Sequence, residues 1–340
     1  MNPFDPIVRS DARVRAVAAR YRRALRPWAP EIRSAADDLL ARISTPNWSL
    51  EWGLAQWTGE AYGLGAQQIA DLDLANALLL AVARHTDDVA DGESRLPART
   101  AAVVNTALQQ VWLQQVAALF VDSPCRSLFW DTLGACLAEW TRVTVADGRG
   151  VTEDFLSFGP RDYAFLSHRG SFLKIAAAAG CLLGNQRRRL KPLEDAISEL
   201  TVGIVMLDDQ FDWVADASAG RYNVFIAYGA HAPQSAAASV ENVRAVIHEL
   251  HTGRGVDPYF DRLEEWLLRA ARSARRAACP GLGHFIECYR QEANACRDWL
   301  ATAVQTERTQ RFQCRPTGRR LGAKRGQRRN RTNERTERHE

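Results

Sequence analysis

The sequence predicts an all-α protein, a single large helical bundle around a central cavity. Three observations lead there. Apolar residues recur with helical spacing along most of the chain, in stretches of 11 to 26 residues between Pro and Gly breaks. Strand signals are nearly absent: no alternating β-branched run is bounded by tight turns, and no βαβ rhythm occurs. Two segments, Leu78 to Ala83 and Ile175 to Leu183, are apolar on most faces, as in a helix buried inside a large bundle.

The elements follow in order. Ala16 to Arg26, Glu31 to Ile43 and Leu50 to Tyr62 are the early helices, punctuated by Pro30 and Pro46. Ala66 to Asp91 is a long apolar helix that turns acidic at its C-terminal end. Pro97 to Phe120 and Pro124 to Val145 follow, the latter closed by Asp147-Gly148. After the Gly159-Pro160 break, Tyr163 to Leu183 reads as one helix. Pro192 to Ala217 is the next, closed by Gly220. Ser235 to Leu250, Tyr259 to Ala278 and Gly283 to Thr306 complete the set.

The 340 residues, 46% hydrophobic and 25% charged, can form a core without disulfides or metals. The seven cysteines show no CxxC pair and no zinc spacing, and read as reduced core residues. No run of about 18 apolar residues marks a membrane span, and the charged stretch from Met1 to Arg22 is no signal peptide. A cytoplasmic location is the expectation. The net charge of +4 hides an asymmetry. From Arg308 onward there are twelve Lys/Arg and three Glu, roughly +9, which leaves the rest of the chain near −5. The expected organisation is therefore a helical domain over 1–307 and a basic, disordered tail over 308–340. The body carries no zinc finger and no RNP-like strand motif, so no nucleic-acid partner is expected.

Two acidic motifs stand about 120 residues apart. In the first, Asp87 and Asp91 are one helical turn apart, so both carboxylates leave one face. Asp88 adjoins them. In the second, Asp208, Asp212 and Asp216 form a stripe over two turns, with Asp209 beside it. Both lie at the C-terminal ends of apolar helices, where like charges repel each other and the helix dipole disfavours acids. Such an arrangement calls for a compensating cation. Hard Mg²⁺ takes oxygen ligands, typically a few carboxylates plus substrate phosphates and water. Two facing stripes suit several Mg²⁺ ions with a diphosphate held between them.

These residues resemble the class I isoprenoid synthase superfamily. Asp87-Asp88-Val89-Ala90-Asp91 is similar to its DDxxD motif, and the preface Ala83-Arg84-His85-Thr86 looks like the phytoene and squalene synthase branch. Asp208, Asp212 and Asp216 keep the spacing of the terpene cyclase motif (N/D)xxx(S/T)xxxE. Asp208-Asp209-Gln210-Phe211-Asp212 also matches the DDxxD of prenyl elongases, and Asp212 to Arg221 resembles the DxxxD…GR segment of phytoene synthases. The resemblance covers roughly residues 78–227. It implies a helical bundle around an active-site cavity, Mg²⁺ as cofactor, a prenyl diphosphate substrate, no stable membrane insertion, and a homodimer.

The resemblance also assigns roles. Asp87, Asp88 and Asp91 bind metal on one side of the diphosphate, and Asp208, Asp212 and Asp216 on the other, with Asp209 either a further ligand or a residue just behind the ligands, and with Asp87, Asp91 and Asp212 central to catalysis. Arg161, Arg169, Lys174, Arg221 and Tyr222 are the candidates for holding the diphosphate. Phe172, Phe211 and Trp213 are the candidates for the substrate pocket, where apolar walls exclude water and π-faces stabilise a cation. The N-terminal Gly-Gly-Lys-Arg segment of elongases is missing, and Asp91 is followed only by Gly92-Glu93-Ser94-Arg95 instead of an Arg pair. The reading that follows is a terpene cyclase, with a C20 prenyl diphosphate favoured over C15 by the small residues Ala176 to Gly180. Head-to-head coupling is the second reading, and a non-catalytic binding protein on the same scaffold the third. Asp71-Leu72-Asp73-Leu74 lacks the last acid of a protonating DxDD motif.

Overall fold

The computed structural model describes residues 11–45, 48–147, 160–219, 222–230 and 256–313. Among them all regular structure is helical. The helices are α1 (Asp11–Leu25), α2 (Pro30–Ile43), α3 (Ser49–Ala61), α4 (Ala66–Ala90), α5 (Ala98–Leu119), α6 (Arg126–Asp147), α7 (Pro160–Arg169), α8 (Ser171–Leu183), α9 (Arg187–Ala219), α10 (Val224–Ala230), α11 (Asp257–Ala277) and α12 (Pro280–Gln313). The expected helix from Ser235 to Leu250 lies outside the described residues. The chain forms two compact units, Met1–Trp299 and Leu300–Glu340. Everything below concerns the first.

The apolar run of α4 places it at the centre. Every residue from Leu72 to Ala83 is buried, and α4 packs against α1, α2, α3, α5, α6 and α8. A helix with no polar face must be enclosed on all sides to remove its apolar surface from water. Two ion pairs lock α1 onto it: Arg13 grips the buried Asp73, and Arg20 meets Asp71. The Asp71–Asp73 segment thus serves to hold α1.

The segment from Tyr163 to Leu183, expected as one helix, is two. The chain breaks at Gly170 (φ −94°, ψ 11°), where α7 and α8 cross α9 closely. A Cβ at this position would fall 2.1 Å from Thr201 Oγ1 on α9. Only glycine permits this approach. Helix α9 begins five residues earlier than expected and carries Pro192 in its second turn. It runs on to Ala219, packing against α8, α7 and α10 and most extensively against α11.

Candidate functional site

The site is built from two helix ends. Helix α4 stops because Gly92 adopts φ +71°, a left-handed conformation that favours glycine. The turn brings the amides of Glu93 and Ser94 back onto the Asp88 carbonyl, at 2.8 and 2.9 Å. It leaves the carboxylates of Asp87 and Asp91 at an open end. Opposite them, α9 presents Asp208, Asp212 and Asp216. All five line one cleft of about 500 Å³, together with Arg84, Glu93 and Arg169. Trp48, Trp140, Val143, Phe172 and Val205 give the same cleft an apolar wall.

The electrostatics match the crowding. Partial burial pushes the Asp87 carboxyl above the usual range, and Asp91 adds to the rise. Burial does the same at Asp208, with Asp212 and Asp216 contributing. Carboxylates raised in this way are short of positive charge. Among the described residues no three acidic, His or Cys side chains already form a ready-made metal cage. A set of all-oxygen donors spread over two facing helices fits a hard divalent cation that completes its shell with phosphate and water.

The second wall is fixed by a turn after α9. Asp209 is buried, and its Oδ2 accepts the Val224 N–H at 2.6 Å. Burial drives this carboxyl up to about 7, against the opposing pull of Arg169 and of that backbone bond. Asn223, which the motifs do not single out, proves central. Its Nδ2 donates to the Asp209 carbonyl and to Asp216 Oδ2, both at 2.8 Å, and its Oδ1 accepts the Ile226 N–H. The signal in the sequence was there: an Asn just ahead of an apolar helix is a natural cap. Tyr222 beside it lines the cleft.

Several expected site residues fall elsewhere. Asp88 does not line the cleft; it is buried, and both its oxygens are taken by Arg42 and Arg84. Lys174 is buried as well, with Nζ 3.0 Å from Glu139 Oε2, which also accepts the Ser171 hydroxyl at 2.7 Å. Burial alone would raise the Glu139 carboxyl, yet these two bonds hold it below its usual value. Helix geometry explains the misplacement: Phe172 faces the cleft, and a residue two further on points roughly 200° away. Phe211 is 51% exposed and Trp213 half-buried, and neither lines the cleft. They flank Asp212 on α9, so when the Asp stripe faces inward they are turned about 100° to either side. The side chain of Arg161 and all of Arg221 lie outside the described residues. The small residues of α8 divide in use: Ala176 and Ala179 line a narrow apolar seam with Leu72, Leu79, Trp112 and Phe129. Gly180 instead admits Thr58 of α3, whose Oγ1 would sit 2.2 Å from a Cβ there.

No family profile and no curated protein matches the sequence. Solved structures do share the fold. A geranylgeranyl pyrophosphate synthetase from Pyrococcus horikoshii matches with a TM-score of 0.65 at 13% identity, over 82% of this chain and 97% of that one. A decaprenyl diphosphate synthase from Rhodobacter capsulatus gives 0.64 at 13%, over 83% and 97%. A farnesyl diphosphate synthase from T. brucei, complexed with a bisphosphonate, gives 0.59 at 11%, over 83% and 98%. The chain has the all-helical fold of these isoprenoid synthases.

The comparison corrects the expected reaction. The solved structures named above are prenyl diphosphate synthases, which lengthen a prenyl chain; they neither cyclise it nor join two head to head. The terpene cyclase and head-to-head readings are therefore withdrawn. Their basis was local. Acidic motifs report how a diphosphate and its metals are held, which these reactions have in common.

Proposed function

We propose that this protein is a divalent-metal-dependent prenyltransferase that takes an allylic prenyl diphosphate and passes its prenyl group to an unsaturated acceptor, as prenyl diphosphate synthases do. One observation carries the reading: carboxylates from the ends of two facing helices share a cleft with an apolar, aromatic wall. The acids alone would suit any cation, and the aromatics alone would suit any core. Together they suit a molecule with a diphosphate head and a hydrocarbon tail.

In this reading Asp87 and Asp91 on one side, and Asp208, Asp212 and Asp216 on the other, hold Mg²⁺. When bound, Mg²⁺ neutralises the charge that grows on the departing diphosphate. Arg169 and Tyr222 line the cleft where they reach the remaining phosphate oxygens. The C–O bond to the diphosphate breaks and leaves an allylic cation. Trp48, Trp140 and Phe172 face it, keep water away and offer π-electrons. The acceptor's double bond forms the new C–C bond, and loss of a proton restores an alkene. The tail is directed along α4 and α8. Ala83 and Phe172 line the cleft, and residues at helical intervals from them, Leu79, Ala75 and Leu72 on α4 and Ile175, Ala176 and Ala179 on α8, line the apolar seam.

The test is incubation of the purified protein with Mg²⁺ and C5, C10 or C15 allylic diphosphates, with and without isopentenyl diphosphate, reading prenyl diphosphates by mass spectrometry. A longer prenyl diphosphate is expected, dependent on the metal. Asp212→Asn should reduce turnover by about 10²-fold or more while leaving the helical content intact. Absence of any lengthened product with every pair of substrates would overturn the assignment.

A further inference from the structure

Each acidic motif contains two adjacent aspartates, and the structure treats the members of each pair differently. On a helix, neighbours point about 100° apart. With Asp87 and Asp208 turned to the cleft, Asp88 is turned into the protein, and Asp209, although it borders the cleft, is buried as well. Asp88 Oδ1 lies 2.7 Å from Arg84 Nη2 and 2.9 Å from Arg42 Nη2, and Arg42 Nη1 occupies Oδ2. Asp209 Oδ2 is taken by the Val224 amide, and its Oδ1 lies 3.8 Å from Arg169 Nη1. In both cases the arginine facing the buried acid also lines the cleft. Arg84 lies on the first wall. Arg169, aimed by the break at Gly170, lies on the second.

We propose that Asp88 and Asp209 are positioning residues and not metal ligands: each holds a cleft arginine, Arg84 and Arg169, so that the two guanidiniums flank the diphosphate. The inference rests on the diphosphate-binding reading above and adds Arg84 to the residues that touch the substrate. Arg84 needs such an anchor. Asp87 Oδ2 and Glu93 Oε2 lie 3.4 and 3.7 Å from its guanidinium, and without Asp88 it would settle onto the carboxylates meant for metal. Arg42, from α2, counters the remaining charge of Asp88 from behind and ties α2 to the end of α4. A guanidinium fixed on its rear edge presents its other N–H groups in a defined plane, which is what two-point binding of a phosphate requires.

The experiment is calorimetric titration with inorganic diphosphate at a series of Mg²⁺ concentrations, which needs no turnover. Arg84→Ala should weaken diphosphate binding about tenfold, the loss of one charge-assisted contact, with its Mg²⁺ dependence unchanged. The double variant Arg84→Ala/Asp88→Asn should bind no more weakly than Arg84→Ala, because Asp88 reaches the diphosphate only through that arginine, its other partner Arg42 lying behind it. Arg169→Ala and Arg169→Ala/Asp209→Asn should behave as a second such pair. Asp87→Asn should instead shift the Mg²⁺ concentration at which diphosphate binds. If either double variant shifts the Mg²⁺ dependence as Asp87→Asn does, its aspartate is a ligand and the proposal fails. If the wild type binds Mg²⁺ and diphosphate but transfers no prenyl group, the prenyltransferase reading fails while this one is judged on the variants. A wild type that binds no diphosphate at any Mg²⁺ concentration overturns both.

Discussion

Gly170→Ala tests whether the close crossing of α7, α8 and α9 sets the site. The added methyl would lie 2.1 Å from Thr201 Oγ1 and 2.8 Å from its Cγ2. Thr201 is buried and its hydroxyl is engaged, donating to the Ile197 carbonyl at 2.8 Å. Because threonine is β-branched, rotating χ1 removes one heavy atom from the clash only to supply another. The helices must separate, at a cost of about 1–3 kcal/mol. Arg169, the neighbouring residue, moves with them, so binding of the diphosphate should weaken together with stability. Urea unfolding measures the first effect and titration with inorganic diphosphate the second. Thr201→Ala removes both offending atoms. Combined with Gly170→Ala it should restore much of the loss, giving a coupling of about 1 kcal/mol or more. A Gly170→Ala protein within about 0.5 kcal/mol of wild type, or a double variant that merely adds the two losses, would refute the reasoning.

Three further outcomes are expected. Burial pushes the Glu51 carboxyl up to about 7, its own backbone N–H only partly opposing, and its Oε2 is buried without a hydrogen-bond partner. The folded state therefore holds a proton that the unfolded state releases near its ordinary value, so stability falls as pH rises from about 4.5 to 7. Glu51→Gln should remove up to about 3 kcal/mol of that fall, and denaturation curves at pH 5 and pH 8 with equal differences in both proteins would disprove it. Arg13→Ala leaves the buried Asp73 unpaired and should cost about 3–5 kcal/mol, most of it recovered by adding Asp73→Asn; chemical denaturation of the three proteins decides. Asn223→Ala removes its bonds to the Asp209 carbonyl and to Asp216, so it should cost about 1–3 kcal/mol and raise the Mg²⁺ needed for turnover, whereas a change in stability alone would confine Asn223 to the fold.

Helices, their approximate ends and the two acidic stripes were legible in the sequence because each depends on spacing along one chain. Apolar residues at helical intervals must be buried whatever they pack against, and aspartates four apart must share a face. Which face meets which neighbour is a different matter. The sequence could not tell that Phe172 turns to the cleft while Lys174 turns to Glu139, since both sit on the same short helix and its rotation is fixed by packing against α6, α3 and α9. Nor could it separate Asp88 and Asp209 from their ligand-like neighbours: the arginines that claim Asp88 come from α2 and from one turn back on α4, and the amide that claims Asp209 is that of Val224, the first residue of α10. The sequence by itself determined a helical bundle with two clusters of negative charge. Only the tertiary structure decided that the clusters share one cleft, that each has one aspartate buried, and that the backbone follows the fold of prenyl diphosphate synthases, because those facts depend on contacts between residues far apart in the chain.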